Sequence, residues 1–297
     1  MRSLNRRHDV PFLYKYLSAV SAIAVLNTQS LRWSSPLRFN DPFDVPRDWE
    51  SFTFRELEDA VVQRFGAYRR GEAEPQSPAA LQLLGLMRSH QNTKTESTFS
   101  NELRFFLRVM RSPMEKFMED FRAAWRERLP NTRILCLSAD PGSATMWAHY
   151  GDTHRGVVLE LESSDARDST WLLAQPVVYR DSKPSLPPPL EWARAFLGEI
   201  ELDWDEFLRE YHFVKRTEWS YEREYRAVSA KKADETELYA DYVFHPDDLR
   251  GVVLGSEVDP EHESIIRKFV ALKYPSTTIY RAEIDYVERR IVPKIAT

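Results

Sequence analysis

The ten residues from Trp219 to Val228, Trp-Ser-Tyr-Glu-Arg-Glu-Tyr-Arg-Ala-Val, constrain the fold of this chain more than any other stretch. They are dense in aromatic and β-branched residues and alternate in polarity, which is typical of a β-strand. Side chains two residues apart on a strand share a face. We therefore expect one face to carry Trp219, Tyr221, Arg223 and Tyr225, and the other to carry Ser220, Glu222, Glu224 and Arg226.

The carboxylates of Glu222 and Glu224 would then follow one another about 7 Å apart along a single strand face. Such a pair suits a solvated strand edge, where it serves solubility alone. It equally suits a cleft in which negative charge stabilises a developing sugar cation.

Composition narrows the class of protein. The 297 residues carry a net charge of −5, which argues against a broad nucleic-acid surface but not against a local basic groove. A single cysteine, Cys136, excludes an internal disulfide framework and a cysteine-rich metal site, and it fits a reducing cytoplasm. No signal-peptide core follows the basic N-terminus, and the apolar run Ala19–Leu26 is too short to span a bilayer. We expect a cytoplasmic protein without membrane contact.

The first third of the chain predicts a strand and then a largely helical region. Val10–Tyr16 reads as a strand, and Ser18 is a good N-cap for a helix over Ala19–Asn27. A second strand is predicted at Leu31–Ser35. Amphipathic patterns then predict helices at Phe54–Phe65, Leu81–His90, Phe99–Met110 and Pro113–Arg128. The apolar stripe on the later helices predicts core positions at Phe105, Phe106, Val109, Met110, Phe117, Phe121 and Trp125.

The remainder predicts short strands scattered among helices. Helices are expected at residues 190–214 and 260–273, and strands at 133–138, 156–162, 176–179, 241–244, 251–255, 277–281 and 286–291. Few clean strand–helix–strand units occur, which favours an α+β fold with a mixed sheet. We predict one α+β domain over residues 1–297, with a helical insert at 53–130.

Two loops hold the residue types that bind ligands. The loop Met146–Gly156 contains Trp147, His149 and Tyr150, which would either stack and bond a flat ring or form a packed turn anchored by the tryptophan. The loop Arg38–Asp44 favours an Asx-turn.

Metal and nucleophile chemistry have less support in the sequence. The spacing between His149 and His154 is wrong for two zinc ligands on one helical face. A carboxylate-held magnesium site stays open if Asp41, Asp44 and Glu224 converge. Cys136 has apolar neighbours on a predicted strand, so we interpret it as a buried small hydrophobe.

Several motifs together resemble an uncharacterised bacterial family, a domain of unknown function. The resemblance spans most of the chain outside the helical insert, and it brings little established biochemistry. Its motifs are Leu13-Tyr14-Lys15-Tyr16, Phe39-Asn40-Asp41-Pro42-Phe43-Asp44, Cys136-Leu137-Ser138, Trp147-Ala148-His149-Tyr150, His154-Arg155-Gly156, and Trp219 with Glu222-Arg223-Glu224-Tyr225-Arg226.

A more distant likeness is to the ADP-ribosyltransferases. Those enzymes begin with a strand that carries His or Arg and then a helix, and Leu13-Tyr14-Lys15 before the helix from Ala19 is similar, with Lys15 in place of that residue. Their later strand has Glu-x-Glu followed by apolar residues, which Glu222–Val228 resembles. The likeness implies a mixed, mostly antiparallel sheet.

By that resemblance NAD is the substrate, Glu224 is the catalytic acid, and Glu222 positions or activates the acceptor. The resemblance leaves Ser34, Ser35 and Tyr150 as alternatives for a middle-strand position, and Trp147 or Tyr150 to stack the nicotinamide. Lys15 would meet the pyrophosphate. The NAD site is expected to include Tyr14, Lys15, Ser34, Asn40, Asp41, Trp147, His149 and Tyr150.

Three functions follow as hypotheses. The first is an NAD-dependent ADP-ribosyltransferase, toxin-like or a phage-defence effector, acting on a protein or nucleic acid and working with a defence-system partner protein. The second is a magnesium-dependent nuclease that uses Asp41, Asp44 and Glu224. The third is a non-catalytic sensing or interaction module. The first requires Glu222 and Glu224 to face the same concavity as Lys15.

Overall fold

A computed structural model describes residues 2–47, 52–88, 96–182, 187–203, 207 and 211–296. The chain forms two compact units. The first comprises Met1–Val45, Leu129–Ser182 and His212–Thr297, and the second comprises Pro46–Arg128 and Lys183–Tyr211. The single domain with an insert at 53–130 stays a prediction.

Helices and strands alternate irregularly along the chain. The helices are α1 (Ala19–Thr28), α2 (Phe54–Arg70), α3 (Pro78–Arg88), α4 (Glu96–Asn131), α5 (Ala144–His149), α6 (Pro189–Phe196) and α7 (Pro260–Lys273). The strands are β1 (Phe12–Leu17), β2 (Ser30–Ser34), β3 (Thr132–Ser138), β4 (Val157–Glu162), β5 (Gln175–Pro176), β6 (Val178–Tyr179), β7 (Val214–Lys215), β8 (Glu224–Ala230), β9 (Tyr239–Val243), β10 (Leu249–Leu254), β11 (Thr278–Asp285) and β12 (Arg290–Ile295).

Within the described residues of the first unit, ten strands form one mixed sheet. Its order is β12-β11-β10-β4-β1-β3-β2-β9, and β8 pairs with both β3 and β5. Every pairing is antiparallel except β10 with β11, which are parallel and joined through α7. A separate parallel pair is formed by β6 and β7. The prediction of a mixed α+β fold with a mostly antiparallel sheet is confirmed.

Apolar side chains cover both faces of this sheet. Strand β4 is buried on both sides, since Leu159 and Leu161 belong to one core and Val158 to the other. The larger core holds Leu26 of α1 and Ile266 of α7, whereas the smaller one is built around Trp147 of α5. The predicted N-cap is confirmed, because the Ser18 hydroxyl accepts the backbone N–H of Ser21.

The second unit is helical, and one expectation about it is wrong. The sequence predicts separate helices that end at Met110 and begin at Pro113, but α4 runs without a break through both positions. Burial of one continuous face outweighs the backbone hydrogen bond that a helical proline removes. That face buries Leu103, Met118, Trp125 and Leu129.

The predicted apolar core stripe on α4 is also partly wrong. Trp125 is buried, and its Nε1 donates to the Pro46 carbonyl at 2.9 Å. Phe105, Phe106 and Val109, however, are 72 %, 52 % and 74 % exposed. Apolar spacing alone does not identify which side of a long helix is covered. The side chain of Met110 lies outside the described residues.

Candidate functional site

A cleft opens where strands β1 and β3 separate. The two strands pair at a single position, Tyr14 with Ser138, and beyond it the Lys15 ammonium donates to the Cys136 carbonyl at 2.8 Å. The cleft has a volume of about 320 Å³, at the lower end of the range for small-molecule sites. It is lined by Tyr14, Lys15, Tyr16, Arg32, Ser34, Arg38, Phe39, Asn40, Asp44, Ile134, Cys136, Leu137, Ser138, Met146, Tyr150, Lys215, Glu222 and Glu224.

Glu222 is held at the cleft by two hydrogen bonds to its carboxylate. The Tyr150 hydroxyl donates to Oε1 at 2.7 Å, and the Lys215 ammonium donates to Oε2 at 2.5 Å. The Asn40 amide in turn donates to the Tyr150 hydroxyl at 3.2 Å. This chain of donors orients the carboxylate while leaving it in the wall of the cleft.

Glu224 lies in a second and denser network. Arg226 binds its carboxylate through Nε at 2.8 Å and Nη2 at 2.9 Å, and Lys215 donates to it at 3.1 Å. Asp44 accepts from Arg226 at 2.6 Å and lies 3.4 Å from the Lys215 ammonium. We call Asp44, Lys215, Glu224 and Arg226 the buried charge cluster, since each is nearly inaccessible to solvent.

A left-handed residue brings both glutamates inward. The predicted strand over Trp219–Val228 is wrong before Glu224, because Thr217–Glu222 is a 3₁₀ helix and β8 begins only at Glu224. Between them Arg223 has φ 43° and ψ 50°, and its side chain is exposed. The two carboxylates therefore share Lys215 across a turn, not along one pleat.

Contacts from distant residues hold that turn. The Ser138 hydroxyl donates to the Glu222 carbonyl at 2.7 Å, and the Glu224 N–H donates to the Tyr179 hydroxyl at 2.8 Å. The Ala139 N–H donates to the Arg223 carbonyl at 3.0 Å. These partners compensate the cost of a non-glycine residue in the left-handed region.

The two glutamates differ in acidity. Burial raises the pKa of Glu222 above its usual range, and the nearby Lys215 only partly opposes this effect. Burial acts in the same direction on Glu224, but Arg226 and Lys215 prevail and hold its pKa below its usual range. Burial together with the neighbouring Glu222 raises the pKa of Tyr150 still further above neutral, and its protonated hydroxyl donates to Glu222.

Positive side chains also line the cleft. The guanidinium of Arg32 lies 4.0 Å from the centre of the Tyr239 ring and that of Arg38 lies 4.9 Å from it. Arg32 is paired with Asp241 at 2.9 Å, whereas Arg38 has no carboxylate partner among the described residues. Lys15 and Arg38 can therefore both donate hydrogen bonds to an anionic group in the cleft.

The structure brings most predicted site residues to this cleft. Glu222 and Glu224 line the same concavity as Lys15, as the transferase hypothesis requires. The other predicted residues in its lining are Tyr14, Ser34, Asn40 and Tyr150.

Three predicted residues lie elsewhere. Trp147 is fully buried against Tyr16, so neither face of its ring is open to a ligand. Asp41 is buried, and its carboxylate accepts the Phe43 N–H at 2.8 Å, which is the predicted Asx-turn. His149 is exposed outside the cleft lining and lies 3.0 Å from the Tyr221 hydroxyl. Of the two candidates for stacking a ring, only Tyr150 reaches the cleft.

Sequence reasoning missed Lys215 and Arg38 as site residues. Lys215 follows a predicted helix, and nothing local distinguishes it from a surface lysine. The role of Arg226 had a signal, because strand alternation already placed it on the same face as Glu224. Cys136 lines the cleft, but burial raises the pKa of its thiol, which opposes formation of a thiolate.

Metal binding by the acids predicted for it has no support in these contacts. Asp44 and Glu224 are bound by Arg226 and Lys215, and Asp41 closes its own turn. Across the described residues no three His, Cys, Asp or Glu side chains are grouped so as to hold a metal ion.

Comparison with known proteins gives a match to a family model. Residues 146–227 match the family model described as protein of unknown function (DUF2971), which supports the likeness to an uncharacterised family. The matched segment includes Tyr150, Lys215, Glu222 and Glu224. No curated protein and no solved structure matches the chain. No helix in the described part of the chain is both long enough and apolar enough to cross a membrane.

Proposed function

We propose that the cleft binds NAD and transfers its ADP-ribosyl group to an acceptor. The observation that carries the proposal is the position of Glu222, a buried carboxylate in the wall of a cleft that also contains Lys15 and Arg38, and Arg38 has no carboxylate partner among the described residues. The acceptor, a protein or a nucleic acid, and a toxin-like or phage-defence role stay predictions.

The proposed reaction breaks the bond between the ribose C1′ and the nicotinamide nitrogen. The bonding electrons leave with the nicotinamide, which becomes neutral, and positive charge develops on the ribose as in glycoside cleavage. A carboxylate fixed beside that charge stabilises the transition state more than the ground state. The acceptor oxygen or nitrogen then bonds to C1′ and loses its proton.

The contacts favour Glu222 as the carboxylate that faces the ribose. Both oxygens of Glu224 are bound by Arg226, and Lys215 also donates to it, so Glu224 acts best as a positioning residue for Lys215. Among the described residues Glu222 accepts from Tyr150 and Lys215 alone, and its raised pKa also suits it to take up the acceptor proton.

Lys15 and Arg38 suit the diphosphate of the same substrate. The Lys15 ammonium donates one of its three N–H groups to the Cys136 carbonyl, which leaves the others for a phosphate oxygen. The planar guanidinium of Arg38 can donate two parallel hydrogen bonds to phosphate oxygens. Asp44 also lines the cleft, where Arg226 and Lys215 compensate its negative charge.

The test is nicotinamide release from NAD, followed by chromatography, for the wild type and for Glu222→Gln. We expect the substitution to lower turnover about 100-fold or more, as for other preorganised electrostatic groups. The matched control is Glu218→Gln, in the same 3₁₀ helix but exposed and paired with Arg216. Equal turnover in wild type and Glu222→Gln, with circular dichroism showing both folded, would contradict the proposal.

A binding module without turnover is the second candidate. It is favoured by one observation, that every oxygen of Glu222 and Glu224 already accepts a hydrogen bond from Lys215, Tyr150 or Arg226. In that case NAD or ADP-ribose binds in calorimetry, Arg38→Gln weakens the binding, and no nicotinamide is released.

A further inference from the structure

The second unit contains a groove rich in arginine. It lies between the start of α2 and the middle of α4 and has a volume of about 1300 Å³. We call it the arginine groove. Its lining residues are Phe52, Thr53, Phe54, Arg55, Leu57, Glu58, Arg104, Arg108, Arg111, Met114, Glu115, Met118, Glu119, Arg122 and Arg126.

Positive charge exceeds negative charge in this lining. The lining contains six arginines and three glutamates, although the whole chain carries a net charge of −5. Some arginines are paired: Arg104 contacts Glu58 at 3.0 Å and also Asp59, and Arg111 contacts Glu115 at 2.9 Å. The excess of positive charge is therefore local to this lining.

Three of these arginines have no ion-pair partner in the part of the chain that the structure describes. They are Arg55, Arg108 and Arg122. The Nε of Arg122 is buried and has no hydrogen-bond acceptor there. A buried donor without an acceptor costs free energy, which a bound anion would recover.

The arginines of α4 follow one face of the helix. Arg104, Arg108 and Arg111 are spaced by four and three residues, and Arg122 and Arg126 continue the same face. Their span of 22 residues corresponds to about 33 Å at the helical rise. A ligand that matches this row carries repeated negative charges along an extended path.

Aromatic side chains accompany the charges. Phe54 is half-buried in the lining, and the guanidinium of Arg111 lies 5.8 Å from the centre of its ring. Phe52 is half-buried beside it. A positive groove with aromatic rings is the combination that binds single strands, whose phosphates meet cations while their bases stack.

We propose that the arginine groove binds single-stranded nucleic acid through its phosphate backbone. Arginine suits this ligand because its planar fork binds phosphate oxygens in pairs. An acidic protein segment would also meet the arginines, but only a nucleic acid supplies a flat base for stacking with every phosphate. The proposal does not depend on the chemistry proposed for the cleft.

The test measures fluorescence anisotropy of labelled 20-nucleotide oligo(dT) and oligo(U) with the full chain, from about 50 to 200 mM salt. The variant is Arg55→Gln/Arg108→Gln/Arg122→Gln. We expect the wild type to bind and the triple variant to bind at least tenfold more weakly. The slope of log affinity against log salt should fall by about 2, since each phosphate contact on a single strand contributes about 0.7.

A charge-matched control separates a groove effect from a change in net charge. Arg7→Gln/Lys268→Gln/Arg289→Gln removes three exposed cations of the first unit and should leave the affinity within about twofold. If the triple variant unfolds, Arg55→Gln/Arg108→Gln changes only exposed side chains and should still lower the slope by about 1.4. Equal loss in both sets, tighter binding of a duplex or of polyglutamate, or no binding by the wild type would overturn the proposal.

Discussion

The buried charge cluster and the arginine groove use the same kinds of side chain in opposite ways. In the cluster, Arg226 is fully buried and binds two carboxylates, and Lys215 contacts three acids. In the groove, Arg55 and Arg108 are exposed and without carboxylate partners among the described residues. One region satisfies its charges within the protein, whereas the other leaves positive charge for a ligand.

The difference shows where charge is structural and where it is available. Lys215, Arg226 and the three buried acids that they contact cost desolvation free energy, and the cost is recovered only while all partners stay in place. An exposed arginine bears little of that cost and contributes little to folding. Substitutions in the buried charge cluster should therefore lower the stability of the fold. Substitutions in the arginine groove should weaken ligand binding and change stability little.

Arg226→Met should have the largest effect on stability. It leaves Asp44 and Glu224 buried with only Lys215 to compensate them, so the free energy of unfolding should fall by about 3–5 kcal/mol. Urea unfolding measures this change. The control is Arg32→Met, which breaks a half-exposed pair with Asp241 and should cost about 1 kcal/mol or less. Equal losses would remove the distinction between the regions.

Acid should destabilise the wild type through Glu224. Its folded-state pKa is lowered, so its contribution is complete above the unfolded-state pKa of about 4.3 and is lost as the pH falls through and below that value. Urea unfolding between pH 5 and 3 should show a steeper decline for the wild type than for Glu224→Gln. Parallel declines would show that Glu224 does not titrate in this way.

Tyr150→Phe should have a smaller effect, because it removes one hydrogen bond to Glu222 and leaves the buried charge cluster intact. The free energy of unfolding should fall by about 1.5 kcal/mol, the usual contribution of a hydrogen bond to a charged group. Chemical denaturation checks the value. A loss as large as that of Arg226→Met would mean that Glu222 belongs energetically to the cluster.

Arg108→Gln should change stability least. The side chain is exposed and has no ion-pair partner in the described part of the chain, so unfolding should shift by no more than about 0.5 kcal/mol. The same variant should still weaken oligo(dT) binding. A stability loss above 1 kcal/mol would show that the arginine groove has a structural role.

Caps and apolar spacing within the local sequence correctly predicted the helices that are stabilised by neighbouring residues. The helix α7 has the predicted bounds Pro260–Lys273, because Asp259 caps it and a proline opens it within a few residues. Likewise α1 follows from Ser18 and its apolar spacing. Co-location of Lys15 with both glutamates also followed from residue types and a resemblance.

Distant contacts decided the features that were not predicted. The 3₁₀ helix ending at Glu222 depends on Ser138, which lies 84 residues earlier, and on Tyr179, which lies 45 residues before Glu224. Local aromatic density favours a strand there, and the tertiary contacts override it. Trp147 is a second example. The local sequence around an aromatic residue in a loop is the same whether its ring fills a core or contacts a ligand, so the sequence does not distinguish the two.

The place of β1 in the sheet has a consequence for synthesis of the protein. It pairs with β4 and meets β3, and both are made more than a hundred residues after it. At about 5–20 residues per second, β1 leaves the ribosome several seconds before either neighbour exists. During that interval Leu13 and its apolar neighbours are open to chaperones, so the nascent β1 segment should be a binding site for them.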